Sequence, residues 1–414
     1  MRTARLWRGR LGVEQTVIEG VEFDEDDEAV VAHVRPRKGS RGRCGRCGRR
    51  CAGYDRGEGR RRWRGLDLGT IKVFLEADAA RVACPEHGPT VVQVPWARHA
   101  ARQTRAFEDT AAWLVTHTSK TAVGELLRVT WRTVGSIVTR VVGEARALRD
   151  PFDGLRRIGI DEISYKKGHR YLMVVVDHDT GRLVWAAPGH DKPTLAKFFD
   201  ALGEDRCAQV RLVSADAAEW IGEMVRERCE NATVCLDPFH IVSWATDALD
   251  VVRREVWNTA RRAGVTGHAK DLKGARYALW KNPQNLTARQ RAKLAWVATL
   301  NGPLYRAYLL KEQLREVFSL RGAAGIALLD RWLAWASRCR IPAFVELARR
   351  IRKNRAGIDA TLTHELSNAL VESTNTKLRV LTRMAFGFAD PEALIALALL
   401  DRGGYCPPLP GRAA

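Results

Sequence analysis

Three acids stand out by residue type and spacing. Asp161 in RRIGIDEISY and Asp216 in VRLVSADAAEW each close an apolar, strand-like run. Glu372 lies in SNALVESTNTKLRVLTRMAFGF, where a helix would place Glu372, Asn375, Arg379 and Arg383 on one face and Val371, Leu378 and Leu381 elsewhere. Carboxylates that converge repel and perturb one another unless a cation neutralises them. Hard oxygen ligands select Mg²⁺ or Mn²⁺ over Zn²⁺. Two such ions about 3.5–4 Å apart activate a water or hydroxyl and stabilise the leaving oxygen in phosphodiester cleavage. The two arginines beside Glu372 suit a phosphate.

The other acids have quieter readings. Glu162 points to the opposite side of its strand from Asp161 and reads as structural, and Asp177 and Asp179 read as turn residues. Asp237, in CLDPFHIV, is an alternative to Asp216 as second ligand, with His240 packing beside the site or touching a substrate phosphate.

A second constellation is built from soft ligands. Cys44-Gly-Arg-Cys47 and Cys84-Pro-Glu-His87 are two corners that can present four ligands tetrahedrally to Zn²⁺. Gly45, Gly48 and Pro85 supply turns, and Cys51 is spare, either replacing His87 or inert. Such a closed site folds a knuckle too poor in core to fold alone, and Arg41, Arg43, Arg46, Arg49 and Arg50 around it suit phosphate contact. The remaining five cysteines are scattered and odd in number, which is no disulfide framework.

A third lies in residues 104–142. Phe107, Ala111, Leu114 and Val115 mark one face of a first helix; Val123, Leu126 and Leu127 point inward from a second; Thr130 caps a third that starts at Trp131. The third buries Val134, Ile137, Val138 and Val141 and leaves Arg132, Thr133, Ser136 and Arg140 free. That spacing matches a helix-turn-helix whose last helix enters the major groove.

These groups need elements to position them. Residues 15–36 read as two strands around an acidic turn, and 155–240 alternate strand and helix: a strand ending at Asp161, a hairpin turning at Asp179-Thr180-Gly181, a helix, then strands ending at Asp216 and at Asp237 and His240. From 243 to 365 the pattern is helical, 366–405 is helical again, and the last residues read as a frayed tail. The reading is a multidomain α/β protein: 1–100 zinc-binding, 101–150 helix-turn-helix, 151–242 first part of a ribonuclease-H-like core, 243–365 all-helical insertion, 366–405 final core helices, 406–414 tail. In such a mixed sheet neighbouring strand ends lie side by side, so Asp161 and Asp216 converge.

The chain has 414 residues and a net charge of +20, from 68 Lys and Arg against 48 Asp and Glu, spread along its length. A positive field of that kind draws a polyanion. No apolar run approaches the roughly 20 residues that span a bilayer, and no secretory leader opens the sequence. A soluble, cytoplasmic, nucleic-acid-binding protein is expected.

With these residues in view the chain resembles the L3-type insertion-sequence transposases. The resemblance covers nearly the whole length and rests on Cys44/Cys47/Cys84/His87, on IGIDEISYKKGHRYLMVVVDHDTGRLVW, on VSADAAEW followed by CLDPFHIV, and on NALVESTNTKLRVLTRMAFGF. It implies a DDE catalytic triad of Asp161, Asp216 and Glu372 holding Mg²⁺ or Mn²⁺, a structural Zn²⁺, and 243–360 as an insertion between the second and third acids. It further implies binding to terminal inverted repeats, water attack releasing a 3′-hydroxyl, attack of that hydroxyl on target DNA, and a dimer or larger assembly. Two other classes fit parts of the chain. A DNA-binding regulator would keep its function with all three acids replaced by alanine; a structure-specific nuclease of the same fold would cut without joining.

Overall fold

Alternating apolar residues fold back on themselves at the acidic turn, as expected: Thr16–Asp24 (β1) and Ala29–Pro36 (β2) form an antiparallel pair. The computed structural model describes Trp7, Leu11 and Val13–Arg412. It divides into two compact units, residues up to Pro151 together with those from Lys377 onward, and Phe152–Thr376.

In the first unit, β3 (Ala52–Asp55) stands apart, while β4 (Arg60–Arg64) and β5 (Lys72–Asp78) return to the first pair in the order β1-β2-β5-β4. Inward residues of this sheet, including Ile18, Val34, Trp63 and Leu75, pack with Trp96 into a core. β6 (Arg81–Cys84) and β7 (Gly88–Val91) pair with β3 as a separate three-stranded ribbon. Among the described residues its buried core is Cys44, Val82 and Cys84, with the partly buried Cys51 and Val92 against it. So small a core cannot offset the entropy of ordering the ribbon, so another source of stability is required.

Three helices follow, each started by a hydroxyl that accepts from a backbone amide: α1 (Arg105–Val115) by Thr104, α2 (Lys120–Leu127) by Ser119 and α3 (Trp131–Leu148) by Thr130. Between α2 and α3 a side chain on Gly124 would begin 2.7 Å from the Val129 carbonyl, so only glycine admits this turn. Leu126, expected inward, is 64% exposed. Helix α2 is so short that Val123 and Gly124 alone fill its contact face.

The second unit centres on a five-stranded sheet. β8 (Arg157–Lys166), β9 (Arg170–Asp177) and β10 (Leu183–Pro188) form the antiparallel part; after helices α4 (Lys192–Leu202) and α5 (Glu204–Cys207), β11 (Leu212–Ala215), α6 (Glu219–Arg228) and β12 (Thr233–Leu236) add the parallel part. The order is β10-β9-β8-β11-β12. Ile158, Ile160, Val213, Phe198 and Val225 fill the space between sheet and helices. From α7 (Pro238–Arg262) to α14 (Arg355–His364) the described residues form eight α-helices around a core that holds Trp332, Leu310 and Phe344. The helical stretch starts at Pro238, earlier than expected, because proline at the first helical position follows Asp237 directly. His240 therefore sits in the first turn of a helix and not on a strand. Helix α14 brings the chain back to the sheet, where the Thr361 hydroxyl donates to the Leu236 carbonyl at 2.7 Å.

Two helices close the chain, α15 (Ala369–Met384) and α16 (Pro391–Arg402). The sequence reading keeps 366–405 whole with the core, whereas residues from Lys377 pack with the first unit, α16 lying against α3. Nor does the tail fray over its described part: Tyr405 is buried under the Arg149 guanidinium, 5.1 Å away, and 406–410 is half-buried except at Pro408. Residues 413 and 414 of that tail lie outside the described residues. Among the described residues no helix is long and apolar enough to cross a membrane.

Candidate active site and nucleic-acid interface

Strand register brings the first acids together. β8 pairs in parallel with β11 as far as Gly159 opposite Ser214, and two residues further along each strand stand Asp161 and Asp216. β11 pairs with β12 as far as Ala215 opposite Leu236, and one residue further stand Asp216 and Asp237. The three aspartates thus form a row where the parallel pairing stops. Asp161 is not at a strand end, as the sequence suggested; β8 runs on to Lys166 because its antiparallel pairing with β9 continues.

Helix α15 reaches this row through a gap made by glycine. A side chain on Gly159 would begin 2.3 Å from Val371, 2.7 Å from His178 and 3.0 Å from Ser214. With glycine there, Val371 is fully buried against the sheet, and Asn375 donates from Nδ2 to Asp161 Oδ2 at 2.8 Å. The other Asp161 oxygen accepts from the Glu162 amide at 2.8 Å. Glu372 stands one turn before Asn375, so their Cβ atoms are about 5–6 Å apart. Its carboxylate is exposed, and Arg379 and Arg383 further along the helix are exposed too. Asn375 departs from the expected shared face, being buried at 2%.

Asp216 and Asp237 differ in how much bonding capacity is already used. Asp237 is 3% exposed; its Oδ2 pairs with His240 Nδ1 at 3.0 Å and its Oδ1 accepts from the Asn368 amide at 3.4 Å. Asp216 is half-buried and, among the described residues, accepts only from the Ala218 amide, at 3.1 Å. Burial pushes the Asp161 carboxyl up, with Asp216 and Asp237 adding to the rise against the Glu162 amide and His240. Glu162, read from sequence as structural, is pushed up to about 7 by burial and by Asp216, Asp161 and Asp191. The hydrogen bond to Asp237 raises His240, and Asp216 and Asp161 act the same way.

Sequence reasoning missed a polar layer beneath this row. Ser214 Oγ hydrogen-bonds His178 Nε2 at 2.7 Å and also donates to Asn368 Oδ1. Burial holds His178 down at about 4. The available signals were a serine inside a buried strand and an asparagine just ahead of an apolar helix, and neither names its partner.

The soft ligands do converge. Cys44, Cys47, Cys84 and His87 have ligand atoms all within 4.8 Å of one another. Cys47 Sγ lies 3.7 Å from Cys84 Sγ, and His87 Nδ1 lies 3.6 Å from Cys84 Sγ and 3.8 Å from Cys44 Sγ. Tetrahedral bonds of about 2.3 Å to sulfur and 2.0–2.1 Å to nitrogen put ligand atoms about 3.5–3.8 Å apart, so these residues fit Zn²⁺. Burial opposes ionisation of Cys84, but hydrogen bonding from His87 and the amides of Glu86 and His87 brings its thiol down to about 6. Cys51 lies outside the group and donates to the Arg49 carbonyl at 3.4 Å. Gly45 is required here, since a side chain would begin 2.5 Å from His99 and 2.6 Å from the Val91 carbonyl.

On α3, Arg132 is exposed and lies over the exposed Trp131 ring, 5.4 Å from its centroid; Ser136 is exposed as well. The Thr133 hydroxyl is engaged with Thr130 at 3.0 Å. Arg140 is not free. It is ion-paired with Glu108 of α1, which is fully buried and also meets Arg98 at 3.3 Å.

The ISL3 DDE transposase model matches residues 158–398, more than half of the chain. The chain belongs to the ISL3 transposase family. The helix-turn-helix model of the same family matches residues 92–142, and the zinc-finger model of the IS204/IS1001/IS1096/IS1165 transposases matches 40–87. The chain is 61% identical to the transposase for insertion sequence element IS1557 of Mycobacterium tuberculosis, in two strains, over all of this chain and 98% of the relative. It is 26% identical to the transposase for IS1001 of Bordetella parapertussis, over 80% of this chain and 82% of that one. In this ISL3 transposase the ribbon and its four ligands support a structural zinc. The acid row also fits a hard divalent cation. Its hard carboxylate oxygens are coupled, Asp216 raising both Asp161 and Glu162, and among the described residues the buried Asn375 Oδ1 has no hydrogen-bond partner. That is an excess of acceptors which a cation would satisfy.

Proposed function

We propose that the chain binds the terminal inverted repeats of its insertion sequence and catalyses metal-dependent DNA cleavage and strand transfer. Asp161, Asp216 and Glu372 hold Mg²⁺ or Mn²⁺, and the sheet is a ribonuclease-H-like core interrupted by the helices from Pro238 to His364. The observation that carries this reading is the row of aspartates in register, with α15 bonded to Asp161 through Asn375. Bound divalent ions would supply a deprotonated water and charge stabilisation at the leaving oxygen. The chain's own groups do the rest. Asn375 and the Glu162 amide fix the Asp161 carboxylate, and Arg379 and Arg383 hold phosphates.

Asp216 is favoured over Asp237 because its oxygens are less committed, Asp237 being closed by His240 and the Asn368 amide. Water attacks the phosphodiester at the element's end, the freed 3′-hydroxyl attacks the target, and no covalent enzyme intermediate forms. Arg132 and Ser136 face the DNA from α3, with Arg140 as a buttress behind them. Two ends must be held at once, so a dimer or larger assembly on DNA, in the cytoplasm, completes the reading. The test is Glu372→Ala in a cleavage and joining assay on a duplex carrying one terminal repeat with Mg²⁺. Loss of both products with binding retained is expected; normal cutting by the variant refutes this site.

A further inference from the structure

Phe386 is 99% exposed, and its backbone is held in the left-handed region at φ 54°, which a bulky side chain rarely adopts. Nothing in the fold's packing rewards a phenylalanine there. The segment around it is nonetheless firmly built. Helix α15 ends with the Phe386 amide on the Arg383 carbonyl at 3.1 Å and the Gly387 amide on the Thr382 carbonyl at 2.9 Å. Two residues on, Phe388 is buried, with Lys120 Nζ 5.4 Å from its ring centroid. Lys120 opens α2, and its Nζ lies 3.7 Å from where a side chain on Gly135 of α3 would begin. The loop is thereby bolted to the helix-turn-helix, and of its exposed residues, Phe386, Gly387, Ala389 and Asp390, the large apolar one is a naked aromatic ring. Arg379 and Arg383, a turn apart on the same helix, are exposed, and neither has an acidic partner among the described residues.

We propose that Phe386 is a DNA wedge, stacking on or inserting at a base step of the duplex seated on α3, with Arg379 and Arg383 on the flanking phosphates. The inference rests on the helix-turn-helix being the DNA-reading module. A flat apolar ring beside two unneutralised guanidiniums matches a polymer that offers π-faces and phosphates together. The apolar face of a second copy would meet the ring and leave the two charges unanswered. The capped helix end and the Phe388 anchor fix the backbone at Phe386, so the ring is presented from one defined point, which suits a wedge.

The test uses the full chain and duplexes of the inverted repeat flanking its gene, each with 2-aminopurine at one position, tiled along the repeat. Brightening at one or two adjacent positions is expected. Phe386→Ala should abolish that signal and weaken binding about five-fold or more, and Phe386→Trp should restore both; the side chain is exposed, so the variants should melt like the parent. Binding without brightening at any position, or a signal that survives Phe386→Ala, overturns the wedge and leaves the helix-turn-helix reading standing. Failure of the parent to bind the duplex overturns both. A shift in sedimentation of the DNA-free protein on Phe386→Ala, with the DNA signal intact, would assign the ring to a second copy instead.

Discussion

Glu108→Ala should damage the helix-turn-helix from inside. Glu108 is completely buried and bridges two arginines, Arg98 at 3.3 Å and Arg140 of α3. Removing one partner of a buried ion pair costs about 3–5 kcal/mol because the other charge is left uncompensated. Here the lower end applies. Arg98, 5% exposed, keeps Asp109 at 2.6 Å and Glu144 at 2.7 Å, and the Arg140 side chain is 25% exposed, so water can reach it. A loss of about 3 kcal/mol lowers the melting temperature of a unit this size by about 6–12 °C. Differential scanning calorimetry of the full chain reads this, with Glu108→Gln, which keeps the shape, expected to lose less. Arg140→Ala should also destabilise but leave DNA affinity unchanged when measured well below the transition. Arg132→Ala should do the reverse, weakening DNA binding by about 1–3 kcal/mol for a base-edge contact. A shift below about 1 kcal/mol for Glu108→Ala refutes the buttress argument, and weaker DNA binding by Arg140→Ala at unchanged stability makes Arg140 a reader after all.

Replacing Cys44 and Cys47 together with alanine should remove the bound zinc, seen by elemental analysis, and open residues 40–90 to proteolysis while the second unit stays protected, since such a ribbon depends on its metal. Asp161→Ala and Asp216→Ala should abolish cleavage with DNA binding nearly intact; an active Asp216→Ala beside an inactive Asp237→Ala would move the second ligand. Asn375→Ala should lower the cleavage rate without lowering DNA affinity, because it frees the Asp161 carboxylate; an unchanged rate would make that hydrogen bond incidental. The His178 contribution to stability should be full above pH 6.5 and be lost as pH falls to about 4, because His178 titrates below its unfolded value and the unfolded chain takes up the proton first. Glu162, raised to about 7, acts in the opposite direction over much of that range, so the His178 part is read as the difference between the parent and a His178 variant. His178→Gln should flatten that fall in a urea titration series.

Much of the local structure was legible. Thr130 marked a helix start because a hydroxyl in that position finds a free amide whatever surrounds it, and Thr104 and Ser119 cap the two helices before it in the same way. Cys44, Cys47, Cys84 and His87 were legible because tight turns fix ligand direction locally. Other positions were not. Glu108 carries no signal of burial in the sequence, and its partners Arg98 and Arg140 lie 10 and 32 positions away. Leu126 looked like core and faces outward because its helix is too short to have a second contact face.

The sequence by itself determined the chemistry available: acids after apolar runs, a four-ligand corner pair, and a basic helical module, each encoded within a few residues. A glutamate on a helix face beside two arginines offered Glu372 as the candidate third acid, and the resemblance implies the same role. Only the tertiary structure decided which groups meet. Parallel register aligned Asp161 with Asp216 and Asp237 across three strands, and the missing side chain at Gly159 let α15 settle until Asn375 touched Asp161. It also closed Arg140 against Glu108 and left Phe386 bare. The physical reason is range. Capping and turns act over three or four residues, whereas register, burial and ion pairing depend on neighbours that the chain places only after it has folded.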